Sequence, residues 1–107
     1  MIVLTLRMRV HPGNRDRLLP VVRRMLEPNR VEDGCLSYHF YQDIEDADAF
    51  TFVEEWESRA DLEAHIRTES FRKLLAAMDL LIEPPNLAIH TVSHTDGIDF
   101  IEALLQD

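Results

Sequence analysis

Cysteine is nearly absent. Cys35 stands alone, so no disulfide can close within the chain, and no structural zinc site can be built on cysteine thiolates. Positive charge is scarce too: 11 lysines and arginines face 20 acidic residues, for a net charge of −9. That field repels phosphate backbones, so nucleic acid is not an expected partner, and it disfavours anionic membrane surfaces. No apolar run reaches the ~18 residues of a membrane helix. The apolar start, residues 1–6, is too short for a signal-peptide core and has no basic segment before it. These absences set the expectation of a cytoplasmic protein with no membrane partner. A Gly-rich dinucleotide fingerprint is also missing, so neither a flavin nor a nicotinamide is indicated.

What is present is ordinary for a globular protein: 46% hydrophobic and 29% charged residues in a chain of 107. That is one domain's worth, and too hydrophobic for disorder. We read residues 1–107 as a single domain, with a core over about 1–94 and a helical extension over 95–107.

Periodicity then orders the elements. Ile2, Leu4, Leu6, Met8 and Val10 alternate with Val3, Thr5, Arg7 and Arg9, the pattern of a strand with one apolar face. His11-Pro12-Gly13-Asn14 is a turn, with Asn14 placed to cap a helix. Leu18, Val21, Val22, Met25 and Leu26 follow at amphipathic-helix spacing. Pro20 inside that stretch predicts a kink or a late start, and Pro28 falls where the stripe ends. After the turn at Glu32-Asp33-Gly34, residues 35–43 read as an aromatic strand with Leu36, Tyr38 and Phe40 on one face and Ser37, His39 and Tyr41 on the other. A loop over 44–49 leads to a strand over 50–56, where Phe50, Phe52, Glu54 and Trp56 share a side. Ser58 with Asp61 resembles a capping box ahead of a short helix ending near Ile66. Thr68 is a second cap, before a stripe of Phe71, Leu74, Leu75, Met78, Leu81 and Ile82. Residues 87–94 alternate as a last strand, and Ile98, Phe100, Ile101, Leu104 and Leu105 give the tail an amphipathic turn or two.

The order β-α-β-β-α-β is the ferredoxin-like motif, an α+β fold with a four-stranded antiparallel sheet. Two helical regions cover one face of such a sheet. The other face is not clearly polar in any strand, which predicts a homodimer joined through it.

Three patterns stand together: Glu32-Asp33-Gly34-Cys35-Leu36-Ser37-Tyr38, then Phe52-Val53-Glu54-Glu55-Trp56, then His65 followed by Phe71. In this order and spacing the chain resembles the antibiotic biosynthesis monooxygenase family of dimeric α/β barrels, with Asp33 where the family typically has proline. The resemblance spans about residues 1–93. It implies the dimeric barrel and an activity drawn from a mixed set: cofactor-free quinol-type monooxygenases, haem-degrading enzymes, isomerases and others. Haem-degrading relatives carry an asparagine on the first strand and a ligating histidine on the last long helix. Those places hold Leu6 and Leu75 here, so no haem is expected.

The residues that can carry chemistry are few. His65 shares a helix face with Leu62 and Ile66, and an imidazole there can take a proton near neutrality. Glu54, on the apolar side of its strand, would orient that imidazole if the two meet; the same pair could equally be a buried polar staple. Tyr38 offers a hydroxyl donor. Trp56, Phe71, Phe40 and Phe52 are aromatic and could wall a substrate box, or simply form core. His11, His39, His90 and His94 lack tight metal spacing, and His90 and His94 would sit roughly 13 Å apart on a strand, so no metal is expected. The expected activity is cofactor-independent oxidation of a small aromatic or quinol by O₂. His65 would be the base, Glu54 its partner, Tyr38 the donor and Trp56 the ring support. The alternatives are a non-oxidative isomerase or catabolic accessory protein, and a ligand-binding module without catalysis.

Overall fold

Alternation carries the first strand. In the computed structural model, which describes residues 1–106, β1 runs Ile2–Arg9 and buries Ile2, Leu4, Leu6 and Met8. Helix α1 (Arg15–Arg30) follows, then β2 (Cys35–Gln42), β3 (Ala49–Trp56), α2 (Arg59–Ile66), α3 (Glu69–Ala76) with a 3₁₀ turn at Ala77–Leu80, β4 (Asn86–Thr91) and α4 (Ile98–Leu105). The last residue of the expected extension, Asp107, lies outside the described residues. The strands form one four-stranded sheet in the order β2-β3-β1-β4, each neighbouring pair antiparallel. This is the ferredoxin-like α+β architecture.

Several local readings change in the folded chain. Helix α1 starts at Arg15 and runs past both prolines to Arg30, so Pro20 lies beyond its first turn. The helix survives because its buried face is long: Leu18, Val22, Met25 and Asn29 repeat at helical spacing and dock on the sheet side. Tertiary burial outweighs the lost backbone bond. Asn14 precedes the helix but makes no side-chain cap; its amide donates to the Leu80 carbonyl at 3.3 Å. In β2, a bulge between Cys35 and Ser37 shifts the register. The extra residue resets the alternation, so Leu36 is exposed while Tyr38 is buried. Finally, β4 stops at Thr91, and residues 92–97 leave the sheet.

The stripe after Thr68 is only partly helical and only partly buried, since α3 ends at Ala76 and Leu75 and Ile82 are exposed; the two caps act as read. Ser58 caps α2 by accepting from the Asp61 amide at 3.2 Å, and Thr68 caps α3 by accepting from the Phe71 amide at 3.2 Å. Phe50, Phe52, Glu54 and Trp56 all face the helices and are buried. The opposite sheet face carries Val3, Thr5, Arg7, Thr51, Val53, Ala88 and His90, a mixed surface that no helix covers among the described residues.

Candidate functional site

The buried face of β3 is apolar except at one position. Glu54 pairs across the ladder with Leu4 of β1 on one side and Tyr38 of β2 on the other. It therefore sits under the helix layer at the centre of the sheet, with no exposure. Helix α2 lays Leu62 and His65 onto the same region, and both are buried. Thr68, at the joint between α2 and α3, pins the His65 carbonyl with a 2.7 Å hydrogen bond.

Two carboxylates meet the imidazole at opposite nitrogens. His65 Nδ1 is 3.0 Å from Glu32 Oε2, and His65 Nε2 is 3.4 Å from Glu54 Oε1. Glu54 Oε1 also accepts from the Trp56 indole N–H at 3.0 Å. Approach from opposite ring edges is wrong for chelation. Among the described residues, no cluster of histidine, cysteine and carboxylates is arranged to hold a metal ion. The geometry instead suits a proton: Nδ1–H donates to Glu32, and Nε2 is left facing Glu54.

Burial sets the protonation states. Glu54 is pushed up to about 7 by burial, against the Trp56 hydrogen bond and with the help of the Glu32 charge. Burial lowers His65, opposed by its hydrogen bond and charge interaction with Glu32. Burial therefore favours the uncharged form of each group, a protonated Glu54 carboxyl beside a neutral His65 imidazole. Burial, then the Glu54 charge, holds the Tyr38 hydroxyl well above its usual range, so it stays a donor. Among the described residues, Tyr38 Oη, Asn29 Nδ2, Glu54 Oε2 and His65 Nε2 are all buried without a hydrogen-bond partner.

Aromatic rings enclose the imidazole. Trp56 stacks on it at 4.6 Å between centroids, and Phe71 and Tyr38 meet it edge-on at 5.5 and 5.8 Å. The fold thus brings His65, Glu54, Tyr38, Trp56 and Phe71 together. Phe52 stands one ring further out, 5.6 Å from Tyr38, and Phe40 packs on Phe52 and Phe50. The rings close on His65, and four surface clefts, of about 150 to 650 Å³, border neither His65 nor Glu54.

Two site residues were not singled out from the sequence. Glu32 was read only as part of a turn, although it opens the Glu32-Asp33-Gly34-Cys35 pattern. Asn29 carried no signal beyond lying on the α1 face three residues past Leu26. Cys35 is half-buried, and burial with the Glu54 and Glu32 charges raises its thiol, which suits an inert residue.

Comparison with known proteins adds an independent line. The family model described as antibiotic biosynthesis monooxygenase matches residues 1–77. The protein sll1783 of Synechocystis is 33% identical over 98 residues, covering 91% of this chain and 67% of that protein. YcnE of Bacillus subtilis is 25% identical over 91 residues, covering 85% of this chain and 96% of that one. A crystal structure described as an antibiotic biosynthesis monooxygenase superposes with a TM-score of 0.80 at 28% identity, over 88% of this chain and 100% of the other.

Proposed function

From the premise that this chain belongs to the antibiotic biosynthesis monooxygenase family, we propose that it is a monooxygenase-type enzyme that oxidises a small aromatic or quinol with O₂ and no cofactor. The observation that carries this reading is the line Glu32–His65–Glu54, with His65 and Glu54 buried inside a shell of aromatic rings and Glu32 at its part-exposed end. His65 Nε2 takes the acidic proton of the substrate. Glu32 holds the imidazole in the tautomer that leaves Nε2 free, and Glu54 shares the proton taken up. The substrate anion then supplies all four electrons that O₂ takes: a C–O bond forms, the O–O bond breaks, one oxygen stays as a new quinone-type carbonyl, and the other leaves as water with the two hydrogens the substrate loses. Tyr38 donates to developing negative charge, and Trp56 and Phe71 flank the ring plane. Substrate entry requires the aromatic shell to part, and the joint at Arg67–Thr68 between two separately capped helices is the break in the wall above His65. With this reading go a homodimer joined through the outer sheet face and a cytoplasmic site of action. Among the described residues no helix is long and apolar enough to cross a membrane.

The test is O₂ uptake by metal-free protein across a panel of phenols and quinols. We expect substrate-dependent uptake that falls at least about 100-fold in His65→Ala. No uptake across the panel would sink the oxidative reading.

A second reading has its own support. The rings pack directly on His65, as a structural core would. In that case the Glu32–His65–Glu54 line staples α2 to the sheet, or serves a non-oxidative isomerase or accessory role. Proton exchange into a bound carbonyl compound without oxygen uptake would mark the isomerase. Neither activity, with a large loss of stability in His65→Ala, would mark the staple.

A further inference from the structure

Four unpaired polar atoms gather around one buried ring. Tyr38 is fully buried, and among the described residues its hydroxyl has no hydrogen-bond partner. Glu54, its neighbour across the β2–β3 ladder, keeps Oε2 unpaired. His65, whose ring meets the Tyr38 ring edge-on at 5.8 Å, keeps Nε2 unpaired. The fourth atom is Asn29 Nδ2. The remaining buried atom of this kind among the described residues, Asp48 Oδ1, lies apart, 3.1 Å from Arg15 Nε. Buried donors and acceptors are costly to leave unmade, and native folds keep few of them. Here they come from four elements, α1, β2, β3 and α2, and share one place.

Asn29 is the member that packing does not explain. Its row on α1 is Leu18, Val22 and Met25, all buried and apolar, and Asn29 continues that row with 1% exposure. An ordinary core would put an apolar side chain there. The fold also fixes where the amide stands. Arg30, the next residue, donates from Nε to the Tyr38 carbonyl at 2.9 Å, so the last turn of α1 is tied to β2. The Asn29 carbonyl accepts from the Glu32 amide at 3.3 Å, so the same turn leads into the carboxylate that meets His65 Nδ1. Burial and the Glu54 charge raise the Tyr38 hydroxyl above its usual range, and the Asn29 side chain beside it works against them. The two groups are neighbours, yet neither closes a hydrogen bond.

Their chemistry sets what fits. An amide nitrogen only donates, and a tyrosine hydroxyl that stays protonated has one hydrogen to give. His65 Nε2 accepts, because Nδ1–H donates to Glu32. Glu54 Oε2 takes either role with its protonation. Two donors beside one acceptor complement a molecule with an oxygen that accepts hydrogen bonds and, apart from it, a hydroxyl that gives up its proton.

We propose that Asn29 Nδ2 and Tyr38 Oη together seat an acceptor oxygen of the ligand, a carbonyl or phenolate, while the ligand's hydroxyl faces His65 Nε2. The site then selects hydroxyaryl carbonyl compounds and quinols over phenols with a single oxygen. The seat rests on the reading above, in which the rings part and a small aromatic comes against His65. To that reading it adds a binding residue, Asn29, and a requirement for a second oxygen. No bond to either donor forms or breaks.

Calorimetric titration with matched probes tests the seat without turnover. The probes are the isomers of hydroxyacetophenone and the corresponding ethylphenols, which keep the hydroxyl and the shape but lack the carbonyl. The parent protein should bind at least one ketone about tenfold more tightly than its ethylphenol. The bound probe should also change the emission of Trp56, the ring stacked on His65. Asn29→Leu should abolish the preference, weakening the ketone about tenfold and leaving the ethylphenol within about twofold of the parent. Asn29→Ala, with a smaller side chain, guards against a packing failure and should lose the preference too. Equal binding of every ketone and its ethylphenol would overturn the seat. So would a preference that survives both Asn29 variants, binding without a Trp56 response, or no binding of any probe. Oxygen uptake separates the seat from the reading beneath it. A carbonyl preference lost in Asn29→Leu, with no uptake on any phenol or quinol, upholds the seat and ends the oxidative reading. Uptake without that preference ends the seat alone.

Discussion

His65 Nε2 lies 3.4 Å from Glu54 Oε1, with both side chains 0% exposed. A charge on either is costly there, so their protons are linked to the stability of the fold. Glu54 is raised from 4.5 to about 7. Its contribution is therefore fully present below about pH 4.5 and is lost as pH rises through about 7. His65 has the opposite sign: lowered from 6.5, it contributes fully above about pH 6.5 and loses that contribution as pH falls. Glu54→Gln removes the first effect and keeps the second. Its stability relative to the parent should grow by about 1–3 kcal/mol between pH 5 and pH 8. Urea unfolding at the two pH values checks this. A difference that stays constant would mean that the carboxyl does not titrate in that window.

The chain's single tryptophan is the ring stacked on His65, and its indole N–H binds Glu54. Indole emission responds to charge on groups in contact with it. Fluorescence of the folded protein should therefore titrate near neutrality, where Glu54 changes state. In Glu54→Gln that transition should vanish. Persistence of an unchanged transition would point to some other group.

Glu32 is part-exposed and bonds His65 through Nδ1. Glu32→Gln keeps a polar partner but removes the charge that selects the tautomer. We expect the proposed oxygen uptake to fall by about 10–100-fold while thermal unfolding moves little, because the 24% exposed carboxylate contributes less than about 1 kcal/mol to stability. Steady-state rates beside a melting curve separate the two effects. A large drop in melting temperature with unchanged turnover would favour the structural staple.

Gly34 sits at φ +78°, a conformation other residues rarely adopt, and a Cβ there would run into the Asp61 side chain. Asp61 in turn bonds Ser58 at the start of α2. Gly34→Ala should cost about 1–3 kcal/mol through backbone strain and disturbance of that cap. A urea midpoint within error of the parent would show that the turn relaxes freely.

Much of this architecture was legible before folding was considered. The alternation in Ile2–Met8 and in Phe50–Trp56 named both central strands and their buried faces, because side-chain direction in a strand follows a period of two. Even the misplaced Glu54 was visible as a carboxylate in an apolar row. The caps at Ser58 and Thr68 were readable because a cap needs only its own residue and the next turn. Leu36 was misread because a bulge shifts the period, and the bulge is set by pairing with β3. Pro20 and Pro28 suggested an interruption that burial of Leu18, Val22, Met25 and Asn29 overrides. Glu32 was hidden because its meaning depends on a residue 33 positions away.

By itself, then, the sequence determined the element order, the buried rows and the presence of one imidazole among rings, all products of short-range spacing. Only the tertiary structure decided that Glu32 and Glu54 clasp that imidazole from opposite edges, that the rings close over it, and that α4 stands clear of its own domain. Those outcomes depend on register and packing between distant segments, where the free energy is shared among many contacts and no local pattern records it.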